Sequence, residues 1–292
     1  MGVNAIIEYV KETKYNIGFV KNNLESVIEG APIDVVWLKH SYTDRWFADP
    51  FILDITNTEI IVLVEEWYDP IQRGRISRLT IDKQSYELKD LKVVLDNGTH
   101  LSFPAIERIG DDIYIHPENS VTGKLDNYRF NKEKDYFERV GTLCNCPMTD
   151  AVFTNLFGKK MMLSTKLPDA NGKELGIYEW DENQGIFSHK INYYFAENIS
   201  RMAGDLFECN GKIYRPAQLC VTYGDAVSLQ EVVFQNGEWF FQEIRKIYSP
   251  SPLYDLGFHT FNVYQGYIVV DGLGFRHPQL SHIIRWIRRL FK

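Results

Sequence analysis

The fold is decided by one short stretch, Ala48-Asp49-Pro50-Phe51-Ile52, and by the apolar run Ile60–Val64 that follows it and ends in Glu65-Glu66. Two short apolar segments that are joined by a turn and bounded by polar residues are typical of a β-hairpin. The same pattern returns four times further along the chain, at residues 102–118, 149–165, 204–216 and 259–271. The sequence therefore contains five copies of one hairpin.

The spacing of these copies predicts a β-propeller. Copies that begin at residues 49, 103, 150, 204 and 259 are separated by 54, 47, 54 and 55 residues. A repeat of about 50 residues with several short strands per copy is typical of a propeller blade. A β-sandwich is the alternative, but it requires no such regular spacing. We therefore predict an all-β chain, with one five-bladed β-propeller over residues 1–278 and a short C-terminal amphipathic helix over 279–292.

The N-terminal segment Tyr15–Val20 precedes the first copy and has no blade of its own. We expect it to add a strand to the last blade, after Asp271, because this pairing closes the ring and leaves no open sheet edge.

Composition and charge exclude several classes of protein. The 292 residues are 45% hydrophobic and 24% charged, as in an ordinary soluble globular protein. The net charge of −7 argues against a nucleic-acid-binding protein, which would need a basic surface. The N-terminus lacks the pattern of a secretory signal, and no apolar stretch is long enough to span a membrane, so we expect a cytoplasmic protein.

The cysteines predict neither a metal site nor a disulfide. Cys144 and Cys146 are too close for an easy mutual disulfide, and they lack a second spaced pair for zinc. We expect reduced thiols, no obligatory metal and no cofactor. Aromatic residues make up 14% of the chain, which favours β-structure and often accompanies a cleft that binds carbohydrate.

Hairpin geometry predicts the location of a functional site. The start of the first strand and the end of the second lie at the same end of a hairpin. Polar residues at these points should therefore surround one mouth of the central channel, unless they merely cap turns. They are Asp49, Asp150 and His259 at strand starts, and Glu65, Glu66, Glu118, Arg215 and Asp271 at strand ends.

A series of short motifs carries a family resemblance. In chain order they are Tyr15-Asn16-Ile17-Gly18, Trp46-Phe47-Ala48-Asp49-Pro50-Phe51, Val64-Glu65-Glu66, His100-Leu101-Ser102-Phe103-Pro104, Pro117-Glu118-Asn119-Ser120, Arg215-Pro216-Ala217-Gln218, Tyr223-Gly224 and His259-Thr260-Phe261. Together they resemble the N-terminal domain of glucosamine inositolphosphorylceramide transferase and its bacterial relatives. The resemblance covers roughly residues 15–275 and implies a five-bladed propeller. It departs from the family at Arg201-Met202-Ala203-Gly204, where Arg-Pro-Ala-Gly is usual.

That domain in turn is similar to the five-bladed glycoside hydrolases of the arabinanase, xylosidase and invertase group. The similarity implies that Asp49 matches their aspartate in the first blade and that Asp150 matches the aspartate of a middle blade. Their acidic glutamate has no clean match, because the fourth copy offers Asp205 or Glu208 in a different context.

Glycosyl chemistry requires a base or nucleophile and a carboxylic acid of raised pKa. We assign the first role to Asp49 and the second to Glu118, with Asp150 orienting the substrate or tuning the acid. The expected substrate-binding residues are Glu65, Glu66, His100, Arg215, Gln218, His259 and Asp271. Three functions stay open: glycosyl transfer in glycan or glycolipid assembly, glycoside hydrolysis, and sugar binding without catalysis.

The C-terminal tail, Leu280–Lys292, has an apolar stripe at helical spacing and four basic residues with no acidic ones. A basic amphipathic helix is typical of contact with a membrane surface, although a helix docked on the propeller has the same pattern. We therefore expect a sugar or glycolipid as substrate, and a cytoplasmic location at the inner membrane surface.

Overall fold

The computed structural model describes residues 12–156 and 158–280, and it consists of five four-stranded antiparallel sheets arranged as a propeller. The predicted all-β, five-bladed fold is confirmed. Blade 1 contains β3 (Arg45–Ile55), β4 (Glu59–Tyr68), β5 (Arg73–Asp82) and β6 (Leu88–Leu95). Blade 2 contains β7 (Ser102–Ile109), β8 (Asp112–Glu118), β9 (Leu125–Asn131) and β10 (Tyr136–Cys144).

The remaining blades follow the same order from the innermost strand outward. Blade 3 contains β11 (Met148–Leu156), β12 (Lys159–Lys166), β13 (Glu174–Asp181) and β14 (Ile186–Tyr194). Blade 4 contains β15 (Phe207–Cys209), β16 (Lys212–Leu219), β17 (Ala226–Gln235) and β18 (Glu238–Ile247). Blade 5 contains β19 (Phe261–Tyr264), β20 (Tyr267–Phe275), β1 (Thr13–Val20) and β2 (Val35–Trp37).

Both ends of the chain contribute to blade 5. The N-terminal strand β1 pairs antiparallel with β20 over its whole length, with Ile17 opposite Asp271. A short helix, α1 (Leu24–Ile28), follows β1, and the Asn23 side chain caps its N-terminus. The helix expected at 279–292 begins at residue 278, and residues 281–292 lie outside the described part of the chain.

Apolar clusters between neighbouring blades hold the ring together. Leu63 and Ile76 of blade 1, for example, pack against Ile115 and Phe137 of blade 2. A similar cluster joins blade 5 to blade 1 through Phe19 and other residues of the closing strand. The four cysteines are free, and none of the described helices is long and apolar enough to cross a bilayer.

Candidate active site at the channel mouth

The second strand of every blade carries a polar residue at or near its last residue, at the same end of the propeller, which we call the mouth. These residues are Glu65, Glu118, Thr165, Gln218 and Asp271, separated by 53, 47, 53 and 53 residues. Strand register supports the equivalence, because Ala48 pairs with Glu65 and Ser102 pairs with Glu118. The mouth thus receives one polar side chain from each blade.

The first strands of blades 1 to 3 are bulged at the mouth. Asp49, Phe103 and Asp150 occupy the bulges with φ values of 50°, 46° and 45°, a left-handed conformation that is uncommon outside glycine. The resulting kink exposes their backbone N–H groups to carboxylates of the preceding blade. Asp49 N–H donates to Asp271 at 3.0 Å, Phe103 N–H to Asp49 at 3.0 Å, and Asp150 N–H to Glu118 at 3.2 Å.

His259 links two of the buried carboxylates. Its Nδ1 lies 2.8 Å from Asp271 Oδ1, and its Nε2 lies 3.2 Å from Asp49 Oδ1. Burial opposes a charge on the imidazole, but the charge of Asp271 and the neighbouring groups raise the pKa of His259 well above its ordinary value. The imidazolium in turn lowers the pKa of Asp271 against the effect of burial. Both ring nitrogens therefore serve as donors.

The same three residues are a candidate metal group, because their ligand atoms lie within 4.8 Å of one another. Each imidazole nitrogen already faces a carboxylate oxygen at hydrogen-bond distance, which accounts for the cluster as an ion-paired histidine. The absence of an obligatory metal stays a prediction.

On the other side of the mouth, Arg201 joins the two carboxyl groups of Asp150 and Glu118. Arg201 Nε lies 2.6 Å from Asp150 Oδ2, and Arg201 Nη2 lies 3.0 Å from Glu118 Oε2. Gln218 Nε2 also donates to Asp150 Oδ2, at 2.7 Å. Burial raises the pKa of Glu118 to about 8; the charge of Arg201 opposes this shift, and that of Asp150 adds to it.

Glu65 lies between these two clusters. Burial raises the pKa of Glu65 well above its ordinary value, and the charge of Asp49 raises it further. His100 stands at the edge of the mouth, where its Nε2 lies 3.6 Å from Glu65 Oε1 and its Nδ1 accepts the Gly74 N–H at 2.9 Å. Burial raises the pKa of Asp49 as well, and the hydrogen bond and charge of His259 oppose this shift. The mouth therefore contains three buried carboxyl groups with a raised pKa, Asp49, Glu65 and Glu118.

Aromatic side chains form one wall of the mouth. The Tyr15 ring lies 4.8 Å from His259 and 5.3 Å from Trp46, measured between ring centroids. Trp46 stacks on Trp67 at 5.5 Å with an angle of 2° between the planes, beside a cavity of about 400 Å³. Tyr223 covers the opposite side, 5.5 Å from His259. Flat aromatic faces next to hydrogen-bonding groups suit a ligand with both apolar and polar faces.

Two of the predicted binding residues do not reach the mouth. Glu66 is fully buried on the other face of β4, where it accepts hydrogen bonds from Arg45, Arg75 and Ser77. Successive side chains of a strand point to opposite faces, so Glu65 and Glu66 cannot both face the channel. The expected position of Glu66 in the site is corrected accordingly.

The expected position of Arg215 in the site is corrected for the same reason. Arg215 lies three residues before Gln218 on β16, so the two side chains point to opposite faces of the strand. Its guanidinium is fully buried, donates to the Ser200 carbonyl and to Gln230 Oε1, and packs near the rings of Phe195 and Phe241. It holds the chain segment that leads into blade 4 rather than a ligand.

Four mouth residues received no role in the site from the sequence, namely Tyr15, Thr165, Arg201 and Tyr223, although all but Thr165 lie in the motifs quoted above. Thr165 could have been found from the spacing of the strand ends, since it lies 47 residues after Glu118 and 53 before Gln218. Arg201 gave no such signal, because it lies in the irregular segment before β15. The catalytic and binding roles assigned to Asp49, Glu118, Asp150 and their neighbours stay predictions.

Comparison with known families identifies the chain. The family described as glucosamine inositolphosphorylceramide transferase 1, N-terminal, matches residues 34–250. The chain belongs to this family. The transferase 1 of Oryza sativa subsp. japonica is 27% identical over 199 residues, which cover 65% of this chain and 27% of the relative. That of Arabidopsis thaliana is 24% identical over 218 residues, which cover 72% of this chain and 28% of the relative.

This member of the transferase N-terminal family thus spans less than a third of the length of the curated relatives it matches. Solved structures with the same fold include the β-xylosidase RS223, with a TM-score of 0.54, 10% identity, and coverage of 80% of this chain and 94% of the xylosidase. A β-xylosidase/α-arabinofuranosidase from a compost metagenome has a TM-score of 0.56 and 11% identity, and the match covers 82% of this chain and 93% of that enzyme. At these identities the likeness concerns the fold alone.

Proposed function

We propose that this chain takes part in glycan or glycolipid assembly by binding a sugar at its mouth and transferring a glycosyl unit there. Family membership supports a role with carbohydrate. A transfer also needs one group that carries a proton near neutral pH and another that stays charged. The raised pKa of Glu118, about 8, beside the Arg201-bound carboxylate of Asp150 is the observation that carries the proposal.

The proposed roles follow from the contacts. Glu118 gives its proton to the leaving oxygen as the donor's glycosidic bond breaks, and Asp49 takes the proton of the acceptor hydroxyl that forms the new bond, or as nucleophile first forms a glycosyl ester that the acceptor hydroxyl then displaces. Arg201 is a positioning residue, since it fixes Asp150 and Glu118 relative to each other. The rings of Tyr15 and Trp46 stack against the sugar, whose C–H faces are apolar.

We further propose a lipid-linked sugar as the substrate, because inositolphosphorylceramide is part of the name that the relatives carry. In this proposal the reaction takes place at the cytosolic surface of a membrane, and the basic tail 280–292 contacts the lipid. The net charge of the tail, with four basic and no acidic residues, supports the contact.

A second candidate is sugar binding without catalysis. Its support is that all three proposed catalytic carboxylates already have strong partners, since Glu118 also accepts hydrogen bonds from Arg201 and from the Asp150 N–H. Asp49 accepts hydrogen bonds from His259 and from the Phe103 N–H, and Asp150 accepts from Arg201 and Gln218. Such a pocket binds hydroxyl groups through its remaining acceptors and leaves the chemistry to another protein or domain.

Glycoside hydrolysis has less support. The residue of blade 4 that meets Asp150 is Gln218, whose amide cannot protonate a leaving oxygen. Asp205, the acid considered for blade 4, lies elsewhere: its backbone N–H bonds to Asn262, and Arg108 is the charge that most affects its pKa.

Glu118→Gln is the variant that tests the proposal. The amide keeps an acceptor for Arg201 but carries no titratable proton, so transfer should fall at least about 100-fold while sugar affinity changes little. Transfer is measured with an inositolphosphorylceramide acceptor and a panel of nucleotide sugars, and sugar affinity by calorimetry. Glu138→Gln, on the outer strand of blade 2, is the matched control.

The pH dependence provides an independent check. Transfer by the unchanged chain should decline as the pH rises through about 8, the pKa of Glu118, because the proton is lost there. Full transfer by Glu118→Gln would refute the catalytic proposal. Sugar binding without transfer by the unchanged chain would favour the second candidate.

A further inference from the structure

Exposed apolar side chains are distributed unevenly between the two ends of the propeller. Among the described residues, ten large apolar side chains are exposed at the mouth end, namely Tyr42, Ile71, Val121, Leu167, Tyr194, Val221, Tyr223, Tyr248, Leu253 and Leu280. Five are exposed elsewhere, namely Ile109, Val140, Ile191, Phe234 and Phe240. Clusters of exposed apolar groups on a soluble protein mark an interaction surface.

Five of these side chains lie on five separate loops that encircle the mouth. We call them the apolar crown: Ile71, Val121, Leu167, Val221 and Leu253. The first four lie in the loops that follow β4, β8, β12 and β16, and the fifth lies in the connection between β18 and β19. Each therefore stands beside one of the polar strand ends that form the site.

Hydrogen-bonded turns hold the tips of the crown. Val121 is the middle residue of a 3-10 turn, Ser120–Thr122, in which the Thr122 and Gly123 N–H groups donate to backbone carbonyls. Val121 is 75% exposed and Val221 is 80% exposed, so both point outward from fixed turns. Internal hydrogen bonds also lower the cost of moving a backbone out of water.

The turn that carries Val221 is similarly closed. Thr222 donates hydrogen bonds from its N–H and its hydroxyl to Asp225, and the Asp225 N–H donates to the Leu219 carbonyl. Ile71 ends another 3-10 turn, whose following residue, Gln72, donates its N–H to Asp69. The crown is therefore a built feature of the mouth rather than a set of loose loops.

The far end of the propeller lacks such a surface in the described part of the chain. In blades 1, 2, 4 and 5 the inner turns at this end are short and polar, with Thr56-Asn57-Thr58, Gly110-Asp111, Asn210-Gly211 and Gln265-Gly266. Three of the five crown segments lack charge, since residues 119–123, 220–224 and 249–254 contain no charged side chain, whereas Asp69 and Arg73 flank Ile71, and Lys166 and Asp169 flank Leu167. An uncharged apolar tip is suited to the interfacial layer of a bilayer.

The described part of the chain also ends at this end of the propeller. β20 ends at the mouth with Phe275, and the last described residue, Leu280, is exposed. The remaining segment, 281–292, carries four basic and no acidic residues. A basic segment that starts beside the crown complements the phosphates of the same lipid layer.

We propose that the apolar crown docks the mouth of the propeller onto a lipid bilayer. The proposal rests on the function proposed above, since it names the surface from which a lipid-linked sugar reaches the site. A bilayer is a flat surface that can contact all five tips at once. The headgroup at the centre of the ring then enters the mouth without leaving its membrane.

Vesicle flotation tests the crown directly. The full chain is mixed with phosphatidylcholine vesicles, alone or with phosphatidylglycerol, and compared with Val121→Asp/Val221→Asp. The double variant should bind neutral vesicles at least about tenfold less, because two aliphatic side chains leave the lipid and two charges oppose insertion. Ile109→Asp/Ile191→Asp, which changes two exposed apolar residues away from the mouth, should bind like the unchanged chain.

Three outcomes would overturn the proposal. The first is vesicle binding by the crown variant that equals that of the unchanged chain. The second is no vesicle binding by the unchanged chain. If that chain is instead a dimer, and the crown variant is a monomer, the crown is the contact between two copies of the chain. The third is complete loss of binding to neutral vesicles by a chain ending at Pro278, which would assign the contact to the tail.

The crown and the proposed function fail separately. Affinity for a soluble sugar should be unchanged in Val121→Asp/Val221→Asp, because neither valine belongs to the polar site. Vesicle binding by a chain that transfers no sugar would leave the docking in place and refute the catalytic proposal. Sugar transfer by a chain that does not bind vesicles would support the catalytic proposal and refute the docking of the crown on a bilayer.

Discussion

Single residues at the mouth carry charges that burial disfavours, and His259 is a clear example. It stands between Asp49 and Asp271, so its removal leaves two buried carboxylates without their cation. We expect His259→Leu to lower the free energy of unfolding by about 3–5 kcal/mol at pH 6. His189→Gln, at an exposed position on β14, should change it by less than about 0.5 kcal/mol.

The same residue predicts how stability depends on pH. The folded pKa of His259 is raised above the unfolded value of about 6.5. The contribution of the charged imidazole to the free energy of unfolding is therefore fully present below the unfolded pKa and is lost as the pH rises through the folded pKa. Urea unfolding of the unchanged chain between pH 6 and pH 9 should show this decline, and His259→Leu should show a smaller one. Parallel curves for the two proteins would contradict the assignment.

Gln218 is a second position at the mouth where the charge of the side chain affects stability, because its neutral amide contacts a carboxyl group. Gln218→Glu would bring a carboxyl group to the place where the amide now lies 2.7 Å from Asp150. Two carboxylates at this distance cannot both ionise cheaply, so the new group should keep its proton with a raised pKa. We expect unfolding to cost about 1–3 kcal/mol less than in the unchanged chain at pH 8, and nearly the same at pH 5. Gln84→Glu, in an outer turn of blade 1, should show no such dependence.

The sequence located the mouth correctly as the place where polar strand ends meet, but it could not assign faces. Glu65 and Glu66 are the same residue type at adjacent positions, and they differ only in the face of β4 on which their side chains lie. The bulges at Asp49, Phe103 and Asp150 shift this alternation by one residue, and no residue type announces them. Arg201 and Tyr223 are placed by irregular segments, for which no periodicity exists.

Whole strands were easier to predict than single side chains, because each blade repeats the same alternation of apolar runs and turns. Five inner hairpins follow from five repeats at nearly constant spacing. In blade 5 the outermost strand β2 was less evident, since it has only three residues, and the pairing of β1 with β20 was expected from ring closure rather than from the residues themselves. Long-range pairings of this kind depend on packing rather than on local pattern.

The connection between β18 and β19 packs tightly on β20. A Cβ atom added at Gly274 would lie 2.0 Å from the Leu253 carbonyl oxygen, which belongs to backbone and cannot easily move. Gly274→Ala should therefore lower the free energy of unfolding by about 1–3 kcal/mol. Gly141→Ala, where nothing lies within 4 Å, should change it by less than about 0.5 kcal/mol. If Gly274→Ala and Gly141→Ala change the free energy of unfolding equally, measured by heat and by urea, the contact between Gly274 and Leu253 is loose.

For the whole molecule, the decisive contact is the closing pair of β1 and β20. Deletion of residues 1–20 removes β1, exposes the edge of β20 and takes Phe19 out of the cluster between blades 5 and 1. We expect this variant to lose cooperative unfolding and to aggregate, because an open sheet edge and apolar surface become exposed. Deletion of residues 1–11 leaves β1 in place and should keep the elution profile of the unchanged chain and a single unfolding transition. A cooperative, soluble 21–292 chain would show that the ring is stable without its closing strand.

The backbone bonds at the bulges have an evolutionary consequence. Asp271 of blade 5 holds the bulge of blade 1, Asp49 of blade 1 holds that of blade 2, and Glu118 of blade 2 holds that of blade 3. Propellers gain or lose blades by duplication and deletion of whole repeats. An inserted repeat next to any of these three would separate a carboxylate from the N–H that it serves. Selection for the site therefore also selects for the number five, and lineages that keep the mouth should keep the blade count even where their outer strands diverge.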